Sequence, residues 1–150
     1  MNREQRKDIL EVVGFGAIVA SLLFVAFEVR QNTSQMRVEA AYSINEALQA
    51  LNESHYENPA LVDLLIRGEQ DFNSLNSIES AQFTRFHLTR LNLCEYILGL
   101  EDEGLSDVHI GYVEVIVKEF NTKPGLAQWY EMIDGSYVGS EEFWSRLKTR

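Results

Sequence analysis

A chain of 150 residues with 23 acidic and 13 basic side chains, net charge −10, has room for about one domain. The imbalance is uneven: residues 1–37 hold five Lys/Arg against four Asp/Glu, whereas residues 38–150 hold eight against nineteen. So acidic a body repels a phosphate backbone and an anionic lipid surface alike, which excludes nucleic acid as a partner and leaves membrane attachment to an apolar segment.

That segment comes first. Residues 12–27, VVGFGAIVASLLFVAF, carry no charge and lie between Glu11 and Glu28. A secretory signal would need a small-residue cleavage site after its apolar run, and here the run passes through Leu-Phe-Val-Ala-Phe directly into Glu28-Val29-Arg30. A helix of a soluble core would keep a polar stripe, but Ser21 is the only polar side chain in the run. A membrane span remains. Glu11 and Glu28 are about 25 Å apart at a helical rise of ~1.5 Å per residue, which puts both carboxylates near the edges of a hydrocarbon core ~30 Å thick. Ile9, Leu10 and Val29 lengthen the apolar surface, giving an expected span of residues 9–29 within an anchor of residues 1–35.

Glu11, Glu28, Arg30, Gln31 and Asn32 are the expected interface residues. Gly16 with Ala20, and Ala17 with Ser21, put small side chains one turn apart, a spacing that lets two membrane helices approach closely. The expected partners are therefore the lipid bilayer and either another membrane protein or a second copy. Arg3, Arg6 and Lys7 precede the span, and Arg30 and Arg37 follow it. By the positive-inside rule this leans, by about one charge, to a cytoplasmic N-terminus with the body outside.

Residues 36–150 are expected to form an acidic, all-helical domain of about four to six helices. Met36, Ala40, Ala41, Ile44, Ala47, Leu48 and Leu51 follow helical spacing, and no Gly or Pro separates them from the span. The span is thus expected to run on into the body, with Asn32-Thr33-Ser34 as a weak point and Pro59 as the stop. Residues 60–67 read as a short helix closed by Gly68, and residues 69–75 as a polar loop. Asn76 followed by Glu79 is a capping-box pattern, opening a central core helix over about 77–101. Gly104 breaks that helix, and Ser106 is available to cap the next. Residues 108–120 are ambiguous: the β-branched density and the alternation Tyr112, Glu114, Ile116 suit a strand. Val108, Tyr112, Val113, Ile116, Val117 and Phe120 also make one helical face, and helix is the expectation because no second strand is near. Pro124 can open a further helix, and Ser140 a last one through Trp144 and Leu147.

No catalytic or metal constellation emerges, and no cofactor is expected. Glu-x-x-His is absent, and His55, His87 and His109 lie in different elements. Glu101, Asp102, Glu103 and Asp107 surround Gly104 without the order of a calcium loop. Cys94, the only cysteine, allows no intrachain disulfide, and at seven residues from His87 on one helix it is about 10 Å away, too far for a catalytic pair. A small-ligand site lined by His87, Tyr96 and Tyr112 is the one enzyme or sensor alternative. Trp129, Tyr130 and Trp144 are candidate partner-binding aromatics, since Trp and Tyr lead among interface hot spots; packing is their plainer role.

The junction SLLFVAFEVRQNTSQMRVEAAYSI resembles a widespread group of small, uncharacterised bacterial membrane-anchored proteins, in which an apolar helix runs into (E/Q)-(I/V)-R-Q-N-T and an Ala-rich helix. The likeness extends to Glu57-Asn58-Pro59, Arg67-Gly68, Leu75-Asn76-Ser77-Ile78-Glu79 leading to Phe83, Glu103-Gly104-Leu105, and Pro124-Gly125 before Trp129. It departs at MNREQRKD, which is more basic, and at Leu75–Glu79, where the group usually has Leu-Ser-Pro-Glu-Glu. The span, the small-residue face and the lack of a catalytic constellation are what lead to the expectation of a scaffold or accessory subunit of a membrane complex. The resemblance implies a single-pass helical protein and supplies no activity. It carries over no catalytic residue, and it implies a cytoplasmic body, opposite to the lean of this chain's own charges.

Overall fold

A computed structural model describes residues 3–106 and 109–133. Every regular element among them is helical: α1 (Arg3–Tyr56), α2 (Pro59–Gln70), a 3-10 turn (Phe72–Ser74), α3 (Ser77–Asp102), α4 (Ile110–Thr122) and α5 (Pro124–Ile133). The described residues fall into two compact units divided between Glu39 and Ala40.

In the first unit, α1 is regular through Asn32-Thr33-Ser34. The helix is not interrupted there, and Thr33 Oγ1 donates to the Val29 carbonyl at 2.9 Å, satisfying its hydroxyl inside the helix. Ser21 does the same to Ala17, also at 2.9 Å.

The second unit has one apolar core. From α1 come Ala40 and Ile44, from α2 Leu64 and Leu65, from α3 Phe83, Leu91, Cys94 and Ile97, from α4 Val113 and Ile116, and from α5 Leu126 and Trp129. Pro59 opens α2 as expected of a residue with preset φ and no amide proton, while Asn58 Oδ1 accepts from the Leu61 amide at 3.2 Å. Gly68 does not close this helix, which continues to Gln70. The glycine is there for space: a Cβ at residue 68 would sit 2.5 Å from the Phe83 ring and 2.8 Å from Leu75. Nor are residues 69–75 a polar loop. Phe72 and Leu75 are buried, and the turn is held by Asp71, whose side chain accepts from the Asn73 amide at 3.2 Å. From α5, Gln128 Oε1 accepts from the Phe72 amide at 2.9 Å.

At the start of α3 both halves of the capping box form. Asn76 Oδ1 accepts from Ile78 and Glu79, each at 3.0 Å, and Glu79 accepts from the Asn76 amide at 2.9 Å. The helix ends in a left-handed Gly104 with φ +67°, after which the Leu105 amide bonds the Leu100 carbonyl at 2.8 Å and the Leu105 side chain is buried. This is the glycine-closed helix end with its apolar contact one residue on. Ser106 does not cap α4: its amide also bonds Leu100, and His109, the residue before α4, makes no side-chain capping bond.

α4 resolves the helix–strand ambiguity. Val113 and Ile116 are buried, while Glu114 and Val115 between them are exposed. A strand buries every second residue; this three-residue interval is helical. Pro124 opens α5, and at Gly125 a Cβ would strike the Gly68 carbonyl oxygen and the Glu69 backbone. α2 and α5 therefore meet glycine against glycine. The expected helix from Ser140 lies outside the described residues.

Candidate functional site

Two features merit a functional reading, one in each unit. In the first unit, one helix is long and apolar enough to cross a membrane: it contains a window of mean hydropathy 2.3, none of it buried against protein. Every described side chain from Leu10 to Asn32 is exposed, so Glu11, Glu28, Arg30, Gln31 and Asn32, the residues expected at an interface, lie along an uncovered helix. The small residues Gly16, Ala17, Ala20 and Ser21 are exposed as well, and a Cβ on Gly16 would meet nothing within 4 Å.

In the second unit, the end of α1 joins α2 and α3 in lining an open groove of about 970 Å³. Its floor is apolar, from Leu61 and Leu64 of α2 and Phe86 and Leu93 of α3, with Ala47 and Ala50 on the α1 side. Asp63, Arg67, Glu79 and Arg85 supply its charged groups. Arg67 is bound on both sides, to Asp63 at 2.9 Å and Glu79 at 2.6 Å. The hydrogen bonds it donates to Glu79 and then to Asp63 raise its pKa; in return Arg67, and next the Asn76 amide, hold the Glu79 carboxyl below the usual carboxylate range.

A smaller cavity of about 280 Å³ is lined by an ionic network. Arg90 on α3 pairs with Glu119 on α4 at 2.6 Å, and Lys123 joins Glu119 at 3.5 Å to Glu69 on α2 at 2.7 Å. Burial opposes the charge on Arg90, but Glu119 and a hydrogen bond to Tyr112 outweigh it and raise its pKa. Burial likewise raises the Tyr112 pKa, against the pull of Arg90. Two cations balance two anions here, so the network clamps α2, α3 and α4 together.

The remaining candidates disperse. His87 is fully buried, its ring centroid 4.3 Å from that of Phe83 and 5.5 Å from that of Trp129. Tyr96 lines the large groove and Tyr112 the small cavity, whereas His87 lines neither. The Cys94 thiol is buried, and that burial pushes its pKa up to about 12; a thiol held protonated at neutral pH is no nucleophile. Among the described residues no group of three His, Cys, Asp or Glu side chains is placed to hold a metal ion.

Trp129 is corrected from a surface anchor to a core residue. It is 0% exposed, and its indole N–H donates to Thr84 Oγ1 at 3.0 Å. Tyr130 is half-buried against the same core, and Trp144 lies outside the described residues. The groove was not foreseen from the sequence. Leu61, Leu64, Phe86 and Leu93 have the spacing of core positions, and nothing local distinguishes an apolar side chain that lines a groove from one that is covered. No family model matches this chain, and neither does any curated protein or solved structure.

Proposed function

We infer that this chain is a single-pass protein of the bacterial inner membrane whose acidic helical body binds another membrane protein, as a scaffold or accessory subunit without catalysis of its own. The observation that carries the reading is the uncovered apolar stretch of α1. Twelve large apolar side chains between Leu10 and Val29 are exposed, among them Phe15 at 71% and Leu22 at 65%. Burial of each such side chain is worth about 1.5–3 kcal/mol, so water is the wrong solvent for this helix and a bilayer the right one. The internally bonded Ser21 hydroxyl suits that setting, where an unsatisfied polar group is costly.

The basic N-terminus keeps to the cytoplasmic side in this reading, with the body outside. The Gly16, Ala17, Ala20 and Ser21 face is where a second membrane helix would pack. Support for a bacterial single-pass protein comes also from the resemblance at the Val29-Arg30-Gln31-Asn32-Thr33 junction. The test is purification of the full chain from native membranes in mild detergent, followed by size exclusion. A second membrane protein at fixed stoichiometry is expected; a chain that elutes alone as a monomer contradicts the accessory role.

A further inference from the structure

The groove between α1, α2 and α3 combines an open apolar floor with one uncommitted cation. Arg67 is engaged by Asp63 and Glu79. Arg85 differs: it is exposed, lies at the groove one residue before Phe86, and makes no ion pair among the described residues. Gln82, one turn earlier on α3, lines the groove beside it. The chain carries a net charge of −10, yet the groove's own charges, Asp63, Glu79, Arg67 and Arg85, balance.

Charge selects the occupant. A basic helix, which the acidic body attracts at large, meets Arg85 as a like charge. An acidic helix is repelled by the body as a whole. A small ligand with a single negative charge and an apolar tail satisfies both constraints. The volume of about 970 Å³ lies at the upper end of the ~300–1,000 Å³ typical of small-molecule sites.

We propose that this groove binds a single-chain amphiphile with a carboxylate head, a long-chain fatty acid, its tail along Leu61, Leu64, Phe86 and Leu93 and its head on Arg85 and Gln82. The site lies wholly within the second unit and does not depend on the membrane assignment of α1. Guanidinium and carboxylate give a charge-assisted hydrogen bond, the polar counterpart to burial of the tail.

The test is photolabelling of the full chain in nanodiscs of neutral phosphatidylcholine with a diazirine-bearing palmitate, mapped by mass spectrometry. Label is expected on the α2 and α3 peptides containing Leu61, Leu64, Phe86 and Leu93, displaced by excess oleate but not by 1-hexadecanol. Arg85→Ala should weaken labelling about ten-fold, the loss of one charge-assisted hydrogen bond, and Arg85→Lys should restore most of it. Ala50→Trp, at an exposed position on the groove wall, should abolish labelling with unchanged circular dichroism. Label confined to residues 9–29, displacement by the alcohol equal to that by oleate, or labelling indifferent to Ala50→Trp overturns the proposal. So does a co-purifying protein that shields these peptides. The displacement comparison uses the wild-type chain and stands even if a variant fails to fold. A chain purified alone that still labels in the groove would contradict the accessory role and leave the ligand site intact.

Discussion

At the scale of single residues, two titrating groups make the core and the start of α3 accountable. Cys94 has its thiol pKa pushed up to about 12 by burial, from an ordinary 9.0. A group whose folded pKa is raised contributes stability that is complete below its unfolded pKa and lost as pH rises through the folded one. Stability should therefore fall between pH values of roughly 9 and 12 by this route, and the native thiol should not react with Ellman's reagent at neutral pH. Measured release should appear only on unfolding; prompt reaction of the native chain would show that Cys94 is not in the core. Glu79 has the opposite sign. Arg67 and the Asn76 amide depress its pKa, so its contribution is present above the usual Glu range and lost as pH falls through the folded value. Denaturant melts should show Glu79→Gln less stable than the parent at neutral pH, with the gap closing as pH falls below the usual carboxylate range. A gap that persists in acid would mean that packing, not charge, sets the difference.

At the scale of elements, what was legible and what was not divides by the range of the interactions. The capping box at Asn76 and Glu79 could be read from the sequence because its bonds span three residues, and the Gly104 stop because a left-handed turn is a local demand. The helical nature of α4 was readable from the interval between Val113 and Ile116 once pairing was considered. Gly68 is ambiguous in sequence because a stop and a close approach call for the same residue, and only the Phe83 ring, fifteen positions away, tells them apart. Burial of Phe72 and Leu75 has no local signal for the same reason: polar neighbours surround them in sequence, apolar ones in space. The groove, assembled from residues 47–96, has no local signature at all, and Trp129 gave no sign of which way it faces. The glycine contact between α2 and α5 can be tested directly. Gly125→Ala drives a methyl group into the Gly68 carbonyl and the Glu69 backbone, and overpacking of this kind costs about 1–3 kcal/mol. Thermal melts should show a lowered midpoint; a neutral substitution would mean that α5 does not pack against α2 at this point.

At the scale of the whole molecule, the two units place different demands on solvent. The unit from Ala40 onward buries Ile44, Phe83, Leu91, Ile97, Ile116, Leu126 and Trp129 to 2% exposure or less and presents charged groups outside. The unit ending at Glu39 buries no described side chain, and its apolar window has a mean hydropathy of 2.3. A single aqueous phase satisfies only one of them. The proposal that α1 crosses a bilayer can be checked by alkaline carbonate extraction of membranes containing the full chain. The chain is expected to stay in the membrane pellet at about pH 11, as an inserted helix must when peripheral electrostatic contacts are stripped. Release into the soluble fraction would contradict it.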